Sequence, residues 1–220
     1  MVRIALDGPS GAGKSTLAKA IAKRLGITYL DTGALYRTVG LAVRDHAVDP
    51  TDPDAVAELL KSISVNVELE NGCQVVYLDG KPVGDAIRTP EMSMYASKVS
   101  AIPAVRDFLL ETQRGFARKN SVIMDGRDIG TVILPDADVK FFVTVKPEER
   151  ARRRFNELTE KGVKVTFDEV FADMKARDLA DSTRAVAPAI KAKDAIELDN
   201  TGDFDTAVEK ALAIIAERTK

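Results

Sequence analysis

The chain has one cysteine, one histidine, no tryptophan and almost no net charge. Each scarcity removes a class of function. A lone Cys73 cannot close an intrachain disulfide, and its place in an alternating, strand-like stretch predicts a packing role. A lone His46, close to a predicted helix end before Asp49-Pro50, reads as a capping or solvent-facing residue. Catalysis by a histidine general base is therefore not expected. Only four tyrosines and eight phenylalanines are present, so the core must be mainly aliphatic. Lys and Arg number 32 against 34 Asp and Glu, a formal charge of −2. That balance argues against a basic nucleic-acid surface. No apolar run reaches the ~18 residues of a membrane span, and the first residues enter a strand with no signal-peptide pattern. A cytoplasmic protein without membrane or nucleic-acid partners, and a monomer, is the expectation.

What is abundant is local. Gly8-Pro9-Ser10-Gly11-Ala12-Gly13-Lys14-Ser15-Thr16 follows the pattern Gly, four residues, Gly-Lys-Ser/Thr. An apolar run, Val2 to Leu6, precedes it. Leu17, Ala18, Ile21, Ala22 and Leu25 follow at helical spacing, and Gly26 suits the helix end. Strand, glycine loop and helix form the arrangement that phosphate binding requires. Glycines allow backbone N–H groups to converge on an anion, and the helix N-terminus adds partial positive charge. Lys14 can reach the β- and γ-phosphates, and the Ser15 hydroxyl is placed for Mg²⁺. The ATP-binding set is Gly8 through Thr16.

At 220 residues the chain suits an α/β domain with insertions. Short apolar runs near residues 2–6, 28–30, 121–124, 139–145 and 195–198 alternate with helical patterns. This predicts a five-stranded parallel sheet flanked by helices. Within it, Val65, Val67 and Leu69 alternate with polar residues, and Asn71-Gly72 and Asp79-Gly80 are hairpin pairs. They predict a small antiparallel β insert over about residues 63–85, its third strand near Val83. Asp52 precedes Pro53 as a helix cap, Thr89-Pro90 starts a further helix, and Thr32 reads as a cap for a helix starting near Ala34. Thr166 with Glu169 fits a capping box. Residues 181–194 read as a loop. Ligands on such sheets bind at the carboxyl ends of strands, where the glycine loop, Asp31-Thr32-Gly33 and Asp125-Gly126-Arg127-Asp128 all fall.

Arginines concentrate in the second half. Arg150, Arg152, Arg153 and Arg154 share one helix, with Glu148, Glu149 and Glu157 as available partners; at most two can face a cleft. Arg177, Asp178, Asp181 and Arg184 form a second group. Arg37 can hold a second anion or be an ordinary solvated helix residue, whereas Arg127, directly after a strand, reads as functional. Phosphoryl transfer between two anions requires many positive donors and no protein nucleophile. Two other readings remain open here: another small-substrate P-loop kinase, acting on a different nucleotide or shikimate, and a nucleotide-gated switch that hydrolyses ATP to move a partner.

The glycine loop, Leu30-Asp31-Thr32-Gly33-Ala34-Leu35-Tyr36-Arg37, Asp125-Gly126-Arg127-Asp128-Ile129-Gly130-Thr131-Val132 and the stretch from Arg177 to Pro188 together resemble the bacterial cytidylate kinases, which are nucleoside monophosphate kinases. The resemblance extends from end to end. It implies one P-loop kinase domain over residues 1–220, with a monophosphate-binding region at about 32–120 and a helical lid at about 147–187. It implies transfer of the ATP γ-phosphoryl group to CMP or dCMP, with Mg²⁺ and no organic cofactor. By matching position, Arg37, Arg127 and Arg184 hold the CMP phosphate. Ser97, Arg106 and Asp128 read the cytosine, Asp181 and Arg177 contact the ribose, and Arg153 lies near the ATP phosphates. Lys14, Arg127 and Arg184 are the implied catalytic set. Thr32 stands where the family often has Ser; the hydroxyl is retained.

Overall fold

A computed structural model describes residues 1–219. The chain divides into two compact units, one of Met1 and Thr28–Val122, the other of Val2–Ile27 and Ile123–Lys220.

The second unit opens with strand β1 (Arg3–Asp7) and helix α1 (Lys14–Leu25). Gly26 ends α1 in the left-handed conformation, φ 64°, where a side chain would be strained. After β6 (Val122–Asp125) come a short π-helical turn at Ile129–Ile133 and β7 (Val139–Thr144). Helices α6 (Pro147–Glu160) and α7 (Phe167–Thr183) follow, then β8 (Ile196–Asp199) and α8 (Phe204–Arg218). The five-stranded sheet is present with order β2-β6-β1-β7-β8, where β2 is Thr28–Asp31. β7 pairs in parallel with β1 and β8. Ile4, Leu6, Phe141, Val143 and Leu198 are buried on these strands, with Leu17, Ile21, Ala211 and Ile215 buried on α1 and α8. This is the near-continuous apolar pattern of strands covered on both faces.

In the first unit, α2 (Thr32–Asp45), α3 (Pro53–Leu60), α4 (Pro90–Val99) and α5 (Pro103–Lys119) share a core containing Leu35, Val39, Val43, Val56, Met92, Val105 and Leu109. α2 and α4 approach closely at Gly40, where an added Cβ would lie 2.8 Å from the Cβ of Tyr95. The insert is β3 (Val65–Glu70), β4 (Cys73–Leu78) and β5 (Lys81–Pro82). Its turn residues Asn71, Gly72, Asp79 and Gly80 all have positive φ, as tight hairpins require.

Several local expectations need correction. Asp31, not Thr32, caps α2: its carboxylate accepts from the Ala34 N–H at 3.1 Å, and the helix begins at Thr32. Cys73 is exposed, so it has no packing role. The short third insert strand expected near Val83 is present as Lys81–Pro82, and Gly84–Ile87 after it forms a 3₁₀ turn. α7 runs through Thr183, because nothing in residues 181–183 breaks the helical ladder. Asp52 and the Thr166/Glu169 box cap as expected, and α4 starts at Pro90 as expected, with Thr89 as its cap. His46 caps α2, its Nδ1 2.8 Å from the Ala42 carbonyl. Among the described residues, no helix is long and apolar enough to cross a membrane.

Candidate active site

In the second unit, the glycine loop connects β1 to α1. Gly8 adopts φ 146°, and a Cβ there would lie 2.4 Å from the Val143 carbonyl oxygen. No larger residue fits so close to a neighbouring backbone. Gly13, φ 77°, would press a Cβ to 2.6 Å from Asn200 Nδ2. Asn200, buried at the end of β8, donates from Nδ2 to the Ala12 carbonyl at 2.9 Å. Ala12 is fully buried, while Ser15 and Thr16 are exposed at the start of α1.

Lys14 is buried and donates to the Pro9 carbonyl at 2.7 Å. Burial, and then the Arg127 charge, push its ammonium well below the usual lysine value. Asp125 and Asp7 act in the opposite direction. The Ser15 hydroxyl donates to Asp125 Oδ2 at 2.6 Å. Asp125 ends β6 and is buried. Hydroxyl and carboxylate oxygens suit a hard divalent cation, and Mg²⁺ characteristically takes one or two protein oxygens and completes its shell with water and substrate phosphates. Ser15 and Asp125 therefore fit Mg²⁺.

Asp7 ends β1 directly before this loop. Its carboxylate accepts the N–H groups of Ile129 at 2.8 Å and Gly130 at 2.7 Å. Burial outweighs those two bonds and pushes its pKa up to about 6.

A charged cluster joins the Asp-Gly-Arg-Asp stretch to α7. Arg127 Nε donates to Asp181 Oδ2 at 3.3 Å, and its Nη1 to the Gly126 carbonyl. Arg184 lies 3.6 Å from Asp181 and 3.7 Å from Asp128, and its Nε holds the Ala187 carbonyl at 2.7 Å. Asp128 is 3% exposed. Arg177, one turn before Asp181, has a buried Nε with no hydrogen bond. Burial and the neighbouring Arg127 push its guanidinium down to about 10. The second unit thus brings Arg127, Asp128, Asp181 and Arg184 together.

The arginines of α6 separate by role. Arg150 is buried and paired with Asp178 at 2.6 Å. Arg153 donates to Glu149 and to the Asn200 carbonyl, and its Nη1 is 3.6 Å from where a Cβ on Gly13 would lie. Arg152 stacks over the Phe167 ring at 4.4 Å, and Arg154 pairs with Glu157. Arg150 and Arg153 are the two that turn toward the glycine loop.

In the first unit, Arg37 pairs with Asp31 at 2.6 Å. The insert supports that residue from behind: Gln74 of β4 accepts the Asp31 N–H at 2.7 Å and donates to its carbonyl at 3.1 Å. Arg106, 8% exposed, donates to the Tyr36 hydroxyl at 2.9 Å and lies 5.4 Å from that ring. Thr32 is buried, and Ser97 is half-buried on α4.

Asp7, Asp125, Arg150, Asp178 and Asn200 hold the site together without having been assigned roles from the sequence. Asp125 carried a legible signal, an acid ending a buried strand beside the phosphate loop. Asn200 carried none.

Comparison with known proteins places this arrangement. The family model described as cytidylate kinase matches residues 4–217. The cytidylate kinase of Fervidobacterium nodosum is 47% identical, over 99% of this chain and 98% of its own. That of Caldicellulosiruptor bescii is 46% identical, over 100% and 97%. A solved structure of an uncharacterized protein from Eubacterium ventriosum superposes with a TM-score of 0.53 at 17% identity, covering 99% of each chain, a likeness of fold alone. A match from the first strand to the last helix, on a chain that brings Lys14 and Ser15 of the glycine loop to Asp125 at the end of β6, leads to one conclusion: the chain belongs to the cytidylate kinase family.

Proposed function

We propose that this protein transfers the γ-phosphoryl group of ATP to the phosphate of CMP or dCMP, giving ADP and CDP or dCDP. The observation that carries this reading is the Lys14–Ser15–Asp125 arrangement in a chain that matches cytidylate kinases over its whole length. An oxygen of the acceptor phosphate attacks the γ-phosphorus, and the bond to the β–γ bridging oxygen breaks. No protein nucleophile is needed; the protein positions the two anions and neutralises their charge. Ser15 and Asp125 hold Mg²⁺, which supplies charge neutralisation and orientation of the phosphates when bound. Lys14, drawn toward the Pro9 carbonyl in a buried site, carries its charge to the transferring group.

The acceptor contacts follow from family position. Arg37, Arg127 and Arg184 bind its phosphate. Ser97, Arg106 and Asp128 read the base, and Asp181 with Arg177 contacts the ribose. Arg153 lies along the ATP phosphates. The ion pairs of Arg184, 3.6 Å to Asp181 and 3.7 Å to Asp128, support this, because a phosphate that binds a guanidinium in pairs of short bonds competes well with contacts of that length. Thr32 borders the acceptor through its hydroxyl.

The test is ADP release coupled to a spectrophotometric readout, with CMP, dCMP, UMP, AMP and shikimate as acceptors. Turnover confined to the cytidine nucleotides is expected. Equal or greater turnover with UMP, AMP or shikimate would overturn the substrate, and ATP hydrolysis without acceptor at a comparable rate would overturn the reaction.

A further inference from the structure

Arg150 and Asp178 close a small ring around one residue of the phosphate loop. Asp178 Oδ1 accepts the Ser10 N–H at 3.4 Å. Arg150 Nη1 donates to the Ser10 carbonyl at 3.0 Å. The same Nη1 donates to Asp178 Oδ2 at 2.6 Å. Ser10 is thus held at both of its backbone polar groups, and the two holding groups neutralise each other. Arg150 Nε also donates to the Val145 carbonyl at 3.3 Å, which fixes the guanidinium from the sheet side. One residue further along, Gly11 is capped by Met174: a Cβ on Gly11 would lie 2.8 Å from Met174 Cε and 3.3 Å from the Arg150 carbonyl oxygen. Arg150 lies in α6, and Met174 and Asp178 lie one turn apart on α7.

A loop that binds phosphate through backbone N–H groups depends on its peptide orientations. A glycine-rich loop has little intrinsic preference for one of them. The orientation must be imposed from outside, and a charge-assisted bond to a peptide carbonyl from a buried arginine is a strong way to impose it. An Arg–Asp pair at this depth is poor evidence of stability by itself, since desolvating both charges offsets their attraction. Its geometry, with both partners spent on a single loop residue, indicates orientation instead.

We infer that Arg150 and Asp178 are positioning residues for the ATP phosphates, clamping the Ser10 backbone so that the N–H groups of residues 11–16 stay turned toward the phosphate. The inference rests on the proposed kinase reading only in taking ATP as the ligand of this loop. The start of α6 and the middle of α7, which carry Arg150 and Asp178, belong to the nucleotide platform.

The experiment measures binding by calorimetry on the full chain, with a non-hydrolysable ATP analogue plus Mg²⁺ and, separately, with CMP. D178A should weaken the analogue about tenfold and CMP less than twofold, with the thermal unfolding midpoint lowered by only a few degrees. D178N keeps an oxygen for the Ser10 N–H but loses the charge that holds Arg150; about a threefold loss for the analogue is expected, and D178E should recover part of the D178A loss. Unchanged analogue affinity in both D178A and D178N would overturn the inference. So would equal weakening of both ligands, the sign of a merely structural pair. If D178A does not fold, D178N alone decides between these outcomes. A wild type that binds the analogue but makes no CDP would overturn the proposed reaction and leave the clamp standing.

Discussion

The hydroxyl of Ser15 and the carboxylate of Asp125 meet at 2.6 Å although 110 residues separate them. Each stands at the end of an element, Ser15 in the first turn of α1 and Asp125 at the last position of β6. The bond joins the phosphate loop to the strand end where the Asp-Gly-Arg-Asp stretch begins. With hard oxygens at both ends, the pair is suited to share Mg²⁺.

The first prediction follows from that pair. Asp125→Asn keeps the shape but removes the negative charge offered to a cation; Ser15→Ala removes one oxygen. Both variants should need more Mg²⁺ for half-maximal rate, and Asp125→Asn should lose roughly 10²–10³ in kcat, the scale of one lost electrostatic contact to the transition state. A Mg²⁺ titration of ADP release reads this. Wild-type Mg²⁺ dependence in both variants would remove Ser15 and Asp125 from the metal site.

Lys14 separates function from stability. Its ammonium is buried and its protonated form is disfavoured there, chiefly by burial. Replacing it by an apolar residue of similar length removes a desolvated charge. Lys14→Met should therefore melt no earlier than the wild type while kcat falls at least about 10²-fold. Thermal unfolding and steady-state rates, measured side by side, check both halves. Near-normal turnover in the folded variant would contradict the role given to the glycine loop.

How much of this was legible beforehand depended on the range of the interaction. Caps that bond within three residues, such as Asp52 and Thr166, could be read from spacing. So could strands covered on both faces, because burial leaves them uniformly apolar; Ile123 and Phe141 are fully buried. The start of α2 was misplaced because Asp31 and Thr32 are both good caps and adjacent. Tertiary contacts selected Asp31, which Gln74 holds through its backbone and Arg37 through its carboxylate. Cys73 failed for a similar reason: alternation reveals two faces of a strand but not which one is covered. The Asn200–Ala12 contact spans 188 residues and the Ser10–Asp178 contact 168. No local pattern specifies pairs at such separations. The arginines were legible as a population, but which of them is buried against the loop was not.

Asp7 gives stability a defined pH dependence. Its pKa is pushed from 3.8 to about 6 by burial, against the two N–H bonds from Ile129 and Gly130. Between those values the native state retains a proton that the unfolded chain has released, so stability falls as pH rises through the window. The full cost, about 3 kcal/mol at ~1.4 kcal/mol per pKa unit, is present above about pH 6 and absent below about pH 4. Asp7→Asn does not titrate. Relative to the wild type it should gain up to about 3 kcal/mol between about pH 4 and pH 7 in urea unfolding. A stability difference that is flat across that range would mean Asp7 titrates at its ordinary value.

Arg37 and Arg184 should affect one substrate more than the other. Both are paired to carboxylates, Arg37 with Asp31 and Arg184 with Asp128 and Asp181. Arg37→Ala and Arg184→Ala should each damage CMP use far more than ATP binding, by roughly 2–5 kcal/mol where the lost contact is desolvated. Titrating both nucleotides against each variant distinguishes them. Equal losses for ATP and CMP would move these arginines out of the acceptor site.

The choice of cytosine over uracil turns on C4, which carries an amino donor in one base and a carbonyl acceptor in the other. A carboxylate accepts from the amine, as acidic side chains do when reading cytosine in DNA. Facing uracil it meets a second acceptor, and an unpaired buried carboxylate is costly. Asp128 suits such a contact, because it is 3% exposed and its ion pair with Arg184 is long, at 3.7 Å. That long pairing also offers a competing role, in which Asp128 only keeps Arg184 aimed at the phosphate. The two roles separate in one comparison. If Asp128 reads the base, Asp128→Ala lowers kcat/KM for CMP far more than for UMP, narrowing a ratio that such a site can hold as high as roughly 10⁴. If it only aims Arg184, both nucleotides lose equally, because both carry the same phosphate. Asp128→Asn sharpens the comparison. Its amide can donate to the uracil carbonyl, so base reading predicts that UMP gains in absolute terms, whereas an aiming role predicts no gain for either nucleotide. Parallel losses for CMP and UMP in both variants would assign Asp128 to the arginine and leave the base to Ser97 and Arg106.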